Sequence, residues 1–405
     1  MSRTFIVIGG GAAGFFGAIA CARQNPSGSV FLLEQSNQVL SKVRISGGGR
    51  CNVTHACFDP HRLVKFYPRG EKELIGPFHR FQPKDTVEWF ESRGVRLKTE
   101  ADGRMFPETD SSTTIIDCLE REAASAGVKV ILSSGVKKIE KEGEKFLIYT
   151  AHPEPLLCDS VLVATGSSVK VLQLIQELGH AIVPPVPSLF TFNIPESPFG
   201  ELAGVAVSAA EVSLPAIGKK ETGPLLITHW GISGPSVLKL SAWSARELHA
   251  LQYATQIAIN WVPDKTKEQL AAKLAEAKQL SPARLIGSEP LLPIPKQLWK
   301  MLVQLAIGQV DKRWSYASTA DLQALTRQFS HTALQMQGKT TYKQEFVTAG
   351  GVLLEEVNFK TMESKICPQL FFAGEILNID GITGGFNFLN AWTTSWIAGS
   401  SMGSK

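Results

Sequence analysis

The sequence predicts an α/β protein: a three-layer, Rossmann-like nucleotide-binding domain built from both ends of the chain, with a second region inserted between them. Three observations predict it. The first is the stretch Phe5–Gly14, FIVIGGGAAG, completed by Glu34. The second is the return of the same buried-strand pattern near Phe346, leading to Leu370–Ala373 and a glycine-rich helix start. The third is the change between Pro184 and about Thr340 to short alternating strands followed by a helical block.

Phe5-Ile6-Val7-Ile8 is an apolar run of the length and composition of a buried parallel strand. It leads directly into Gly9-x-Gly11-x-x-Gly14, and an alanine-rich helix pattern follows to about Gln24. Gly9 permits the tight turn, Gly11 lets a pyrophosphate approach the backbone, and Gly14 lets the helix pack on the strand. The helix N-terminus offers N–H groups and a positive dipole end to that pyrophosphate. A second strand, Val30–Leu33, ends at Glu34, twenty residues beyond Gly14, where an acid accepts hydrogen bonds from an adenosine ribose. Arg3, the apolar stretch and Ala20-Cys21-Ala22 also resemble a secretory signal peptide. Three consecutive glycines and the correctly spaced Glu34 favour the dinucleotide site and a cytoplasmic protein.

At 405 residues the chain is long enough for two or three domains with ample core. Its net charge of +4 is too small to argue by itself for nucleic acid. No apolar run reaches the length of a membrane helix without glycine interruption. Six cysteines without C-x-x-C pairs indicate reduced thiols. Cys51, His55, Cys57 and His61 are spaced C-x3-H-x-C-x3-H, whose single-residue middle gap fits a zinc site poorly, so no metal is expected.

Lys42-x-Arg44-Ile45-Ser46-Gly47-Gly48-Gly49-Arg50-Cys51-Asn52 predicts a loop whose backbone can lie against a flat or anionic ligand. A helix is predicted from Pro83 to Arg93, and another from the Asp110–Ser112 caps to Ala126. Strands are predicted at Lys129–Leu132, Val136–Glu140, Lys145–Thr150 and Val161–Gly166. Amphipathic helices follow at Lys265–Gln279 and Pro295–Ala306. Thr228–Pro235, THWGISGP, reads as a turn before a helix to about His249, with His229 a candidate active-site group. Asp380–Asn387, DGITGGFN, opens a closing helix to about Gly399, whose glycine-rich N-terminus is a second anion-stabilising site.

These stretches together resemble the BaiN/YhiN-type family of FAD-binding oxidoreductases, which includes enzymes described as aminoacetone oxidases. The resemblance covers nearly the whole chain. It rests on IVIGGGAAG at Ile6–Gly14, KVRISGGGRCN at Lys42–Asn52, GRMFP at Gly103–Pro107 and VLVATG at Val161–Gly166. It continues through THWGISGP, TAGGV at Thr348–Val352 and FAGEILNIDGITGGFN at Phe372–Asn387. It implies an FAD domain at 1–190 and 341–405, with a β-barrel plus helical domain inserted at 191–340. It also implies non-covalent FAD, held first by Gly9, Gly11, Ala13, Gly14, Glu34, Gln35 and Val136. Lys42, Ala164, Thr165, Gly166, Gly374 and Glu375 would follow along the cofactor. Gly48, Gly49, Arg50, Cys51 and Asn52 would then flank the isoalloxazine, with Gly384, Gly385, Phe386 and Asn387 opposite. Ser167 stands where the family's ATGG has its second glycine, which bears on the substrate side more than on FAD.

The expected activity is transfer of hydride from NAD(P)H through flavin N5 to a small-molecule acceptor such as an activated C=C. Arg50, Cys51, Asn52 and His229 are the candidates to face the substrate. No second G-x-G-x-x-G occurs, so a nicotinamide donor would be a transient co-substrate. An oxidase of a small amine or aminoketone would need the same flavin cradle. An RNA-acting flavoprotein is the third alternative. Arg62, Lys65, Phe66, Tyr67, Arg69, Lys72 and His79 interleave basic and aromatic residues, although Glu71 and Glu73 interrupt them.

Overall fold

The computed structural model describes residues 2–340 and 347–405. The predicted return of the pattern at Phe346 falls outside them. The chain forms two compact units, Met1–Pro187 with Tyr342–Lys405, and Ser188–Thr341.

The first unit is organised on a seven-stranded sheet. Its five consecutive parallel strands are Leu370–Phe372, Ser160–Val163, Thr4–Ile8, Ser29–Leu33 and Lys129–Ile131. Ile6 lies opposite both Val161 and Phe31, so the first strand is central and paired on both edges. Phe5, Ile6 and Val7 are fully buried, which is why the run is continuously apolar and not alternating. Val357–Asn358 and Glu363–Ser364 extend one edge antiparallel.

Helices Ala12–Gln24, Ser112–Ser125 and Phe386–Gly403 form one layer. Small residues let the first and last of these approach closely: a Cβ on Gly399 would lie 2.1 Å from the carbonyl oxygen of Gly17. A three-stranded antiparallel sheet, Lys138–Glu142, Lys145–Tyr149 and Leu156–Cys158, supplies the third layer. Asp159, just beyond it, accepts a 2.7 Å hydrogen bond from the Thr4 N–H. The strand predicted at Val136 begins only at Lys138, and buried Val136 sits in the loop before it.

In the second unit a seven-stranded antiparallel sheet closes on itself. Thr332–Gln337 pairs with Ala254–Asn260, and Lys339–Thr340 pairs with Thr191–Asn193. Gly338 alone separates the two pieces, in a left-handed conformation (φ +95°) that costs glycine nothing, so one bent strand joins both ends of the sheet.

Helices Lys267–Leu280, Lys296–Ile307 and Thr319–Ser330 pack beside one another, and Trp299 stacks on Phe329 at 4.6 Å between ring centres. Reciprocal capping boxes start two of them, Thr266 with Gln269 and Ser318 with Asp321. Two predictions are corrected here. The helix expected to run to His249 is broken at Ser244 into Pro235–Trp243 and Ala245–Ala250. The turn expected over Thr228–Pro235 is confined to His229 and Trp230, and Gly231 already starts a strand, Gly231–Ser233, paired antiparallel with Lys219–Thr228. A Cβ on Gly231 would stand 2.1 Å from the Phe192 carbonyl oxygen, so glycine serves strand pairing rather than turning.

Candidate functional site: a dinucleotide cradle in the first unit

The cradle starts at the C-terminal ends of the parallel strands. Gly9 takes φ +109°, and its N–H donates to the Leu33 carbonyl at 2.8 Å. A Cβ there would lie 2.5 Å from the Ala164 carbonyl oxygen, so the first turn is pressed against the Ala164–Gly166 turn. A Cβ on Gly14 would lie 1.8 Å from the Gly9 carbonyl oxygen. Gly11 is different: a Cβ there would meet nothing within 4 Å. Glu34 accepts hydrogen bonds from the Gly10 N–H at 2.7 Å and the Ser36 N–H at 2.9 Å. Gln35 is exposed beside Gly135, and the Ser134 N–H donates to the Glu34 carbonyl, which brings the Val136 loop to the same end.

The middle of the cradle joins segments distant in sequence. Lys42 Nζ pairs with Glu375 Oε2 at 2.7 Å, and the other oxygen of Glu375 accepts from the Thr348 N–H. Gly166 sits over this pair: a Cβ there would be 3.4 Å from Glu375 Oε2. Gly374 packs on the first helix, where a Cβ would lie 3.0 Å from the Ala13 Cβ, and its N–H is held by the Thr394 hydroxyl. That contact explains a small residue at 13. The sequence placed Thr348 in the TAGGV motif without a role of its own and did not single out Thr394.

At the far end residues 41–45 are helical, Ser46 is extended (ψ 147°), and the chain then turns through Gly47, Gly48 and Gly49 at φ +57°, +70° and +84°. All three are exposed, and Cβ atoms on Gly48 and Gly49 would meet nothing within 4 Å. The side chains that follow are all engaged. Arg50 pairs with Glu100 at 2.7 Å and lies 4.0 Å over the Phe106 ring. Cys51 is fully buried in a left-handed conformation, φ +62°, and burial pushes its thiol up to about 12.

The Asn52 amide bridges the two halves of the chain. Its oxygen accepts from the Gly385 N–H at 3.0 Å, and its nitrogen donates to the Thr54 and Met105 carbonyls. Asn387 is likewise spent on backbone, bonding both the N–H and the carbonyl of Gly381. Gly384 lies against the Phe386 ring. His229, exposed in the Thr228–Gly231 turn, belongs to the second unit.

In the basic and aromatic stretch at Arg62–His79, Phe66, Tyr67 and Arg69 turn inward, whereas Arg62, Lys65, Lys72 and His79 are exposed. Phe66 stacks on Phe386 at 4.4 Å, with His55 against the same ring at 4.8 Å. Tyr67 is fully buried and donates to the Phe386 carbonyl at 2.7 Å. Arg69 pairs with the fully buried Asp380. Phe66, Tyr67 and Arg69 brace the terminal glycine turn.

The residues present fit a bound dinucleotide. Open space over Gly11 leaves the helix start free to receive a pyrophosphate, and the Thr165 hydroxyl beside it is buried without a hydrogen-bond partner among the described residues. Glu34, with a ribose in place, would exchange its Ser36 hydrogen bonds for ribose hydroxyls. Glu34→Ala should therefore weaken FAD affinity by about 1.5–3 kcal/mol for each charge-assisted bond removed. The flavin spectrum should hardly change, because Glu34 lies at the adenosine end. Equilibrium titration of the apoprotein measures this, and wild-type affinity would place the ribose elsewhere.

A nucleotide cradle on a central parallel sheet, with a second unit inserted in the chain, defines a dinucleotide-binding protein of the Rossmann type. The chain matches the family model "HI0933-like protein Rossmann domain" over residues 3–401, and it belongs to that family. It is 28% identical over 405 residues to a 3-dehydro-bile acid delta(4,6)-reductase of Clostridium scindens, covering 97% of each protein. It is 29% identical over 409 residues to a ribosomal RNA dihydrouridine synthase of Escherichia coli, covering 96% of each. Its fold is that of a 3-ketosteroid-delta4-(5alpha)-dehydrogenase from Rhodococcus jostii, with TM-score 0.53 and 12% identity over 100% of this chain and 97% of that one. Among the described residues no helix is long and apolar enough to cross a membrane.

Proposed function

We propose that this protein reduces a carbon–carbon double bond conjugated to a carbonyl, with non-covalent FAD as its cofactor and NAD(P)H as a transient electron source. One observation carries the reading. Two relatives with unrelated acceptors, a bile acid and a uridine of ribosomal RNA, match nearly the whole chain, and both names describe saturation of such a bond. The shared part is therefore the reaction.

When bound, the flavin supplies hydride transfer. The chain's own residues hold and shape the site. Glu34 takes the ribose, the Gly9–Gly14 turn takes the pyrophosphate, and the Lys42–Glu375 pair with Thr165 lies along the middle. Gly47–Gly49 present backbone without side chains to a flat ring system. Asn52 fixes the start of the terminal helix, whose positive end faces the site and favours charge accumulating there. Arg50 and Asn52, being spent on Glu100 and on backbone, act as positioning residues.

Anaerobic mixing of the purified holoprotein with NADH or NADPH tests the reading. Rapid bleaching of the flavin absorption is expected. No bleaching, with peroxide formed from an aminoketone in air, would establish the oxidase instead.

Cys51 gives two further predictions. Its thiol is inaccessible and protonated well above neutrality, so it should not attach the flavin. Denaturation should release all the colour as free FAD, and colour left on the precipitate would contradict this. Cys51→Ser should keep FAD and lower turnover less than about tenfold, near 1.4 kcal/mol in the barrier. A thousandfold loss with FAD bound and the fold intact would make the thiol catalytic.

A further inference from the structure

We infer that Ser364, His180 and Glu356 form a proton-sensitive clasp that holds the strand Val347–Val352 behind the FAD cradle, so that FAD affinity falls when the clasp takes up a proton. The inference rests on FAD as the cofactor and is indifferent to the acceptor. Ser364 Oγ lies 3.0 Å from His180 Nε2, and His180 Nδ1 lies 2.9 Å from Glu356 Oε2. That connectivity is shared with hydrolytic serine–histidine–carboxylate triads, but the hydrogen bonds around this serine are not those of a nucleophile. The Ser364 oxygen accepts from the Ile366 N–H at 3.0 Å and the Cys367 N–H at 2.7 Å, which uses both of its lone pairs. Its O–H therefore donates to His180 Nε2, and Nδ1 carries the ring's proton and donates to Glu356. The ring, fully buried, is thus held neutral in one tautomer. A second proton would place an N–H against an oxygen with no lone pair left to accept it.

Among the described residues Glu356 is the one charged group that acts on the ring. The other elements packed on it supply the Ser364 hydroxyl and the Phe372 ring, edge-on at 5.0 Å between centres. Lys365 donates to the Glu355 carbonyl, Glu363 pairs with Lys405, and Glu177 and Glu355 are exposed. Burial pushes the Cys367 thiol up, so it stays uncharged in acid. Burial holds His180 below the usual histidine value, and the hydrogen bond and charge of Glu356 oppose that shift. The clasp is therefore intact above about pH 6.5 and is lost as pH falls through the lower folded-state value.

The clasp reaches the cradle through backbone. Glu356 also accepts from the Ala181 N–H at 3.0 Å, and the Leu353 N–H donates to the Ala181 carbonyl at 3.0 Å. Ala181 leads into Ile182–Ser188, which pairs with Val347–Val352. That second strand is packed without slack. A Cβ on Gly350 would lie 2.7 Å from the Pro184 carbonyl oxygen, and one on Gly351 would lie 2.3 Å from the Ile376 carbonyl oxygen. Near its other end the Thr348 N–H donates to Glu375, the carboxylate paired with Lys42 in the cradle.

The test is fluorescence titration of the full-length apoprotein with FAD from about pH 8 to about pH 5, with thermal melts in the same buffers. Affinity should be constant above about pH 6.5 and weaken by up to about tenfold per pH unit below the folded-state value, the slope of one proton. His180→Gln keeps an acceptor for the Ser364 hydroxyl but does not titrate, so it should flatten this acid limb. Glu356→Gln keeps an acceptor for the ring but removes the charge that favours its protonation, so it should move the limb to lower pH. A contact that only supports the fold would weaken binding at every pH and leave the limb in place. In the apoprotein labelled with 13C-histidine, the resonance missing from His180→Gln should titrate below about 6.5. Wild-type affinity that does not change with pH, the same acid limb in His180→Gln, or a His180 resonance titrating at or above the usual value overturns the proposal. So does labelling of Ser364 by a fluorophosphonate at neutral pH, which would make it a nucleophile. Failure of the cofactor reading looks different: no FAD binds at any pH, while the melts keep an acid limb that depends on His180.

Discussion

Gly14→Ala should give a protein that holds no FAD and is strongly destabilised, whereas Gly11→Ala should give one that is folded but binds FAD roughly 5- to 150-fold more weakly. The two glycines share one motif but meet different surroundings. The added methyl at position 14 would lie 1.8 Å from the Gly9 carbonyl oxygen, so strand, turn and helix cannot keep their spacing. The added methyl at position 11 meets no protein atom within 4 Å, and Gly11 already has the extended backbone of a helix N-cap, φ −89° and ψ −170°. Alanine there should leave the melting temperature of the apoprotein unchanged. It intrudes only where a pyrophosphate would press on the backbone, where overpacking costs about 1–3 kcal/mol and the N–H groups of the helix start are held away from the phosphate oxygens. Thermal melts and FAD titrations of both variants decide the matter. Full FAD retention by Gly11→Ala would mean that the open space holds something else.

Asp380→Asn should be the most destabilising isosteric change in the first unit. Asp380 is fully buried, and the Arg69 side chain paired with it is only 16% exposed. Removing one charge of a buried pair leaves the other without compensation, at a cost of about 3–5 kcal/mol. For a unit of this size that lowers the melting temperature by roughly 6–20 °C. The double variant Arg69→Met, Asp380→Leu should recover much of the loss, because paired apolar replacements of a buried ion pair are often neutral. A single variant within about half a kcal/mol of wild type would show that the pair is solvated in solution. The terminal glycine turn that Arg69 braces is part of the cradle, so FAD should also dissociate faster from Asp380→Asn.

The sequence was most informative where function depends on local spacing. Gly9, Gly11, Gly14 and Glu34 are read from one βαβ unit, and folding keeps them together, with Glu34 accepting from the Gly10 N–H. Lys42, Gly166 and Glu375 were identified as separate motifs, and only folding shows that they meet. Contacts spanning the chain were not legible. Tyr67 and Phe386 are 319 residues apart, so an aromatic that is buried against its partner looked like a surface residue in a basic stretch. Asn52 looked like a group facing the substrate because its acceptors and donor, the Thr54 and Met105 carbonyls and the Gly385 N–H, come from three segments. Gly231 misled for a different reason. Glycine usually marks turns, but here it admits close strand pairing, and no local pattern distinguishes the two uses.

The most direct test of the central claim is reoxidation without oxygen. Holoprotein bleached with one equivalent of NAD(P)H under nitrogen is mixed with an acceptor containing a carbonyl-conjugated double bond, either an unsaturated 3-keto steroid or a uridine-containing RNA. The flavin absorption should return in step with acceptor consumption, and mass spectrometry should find two hydrogens added to that acceptor. If neither acceptor restores the colour under nitrogen and neither gains hydrogen, the reductase account is contradicted.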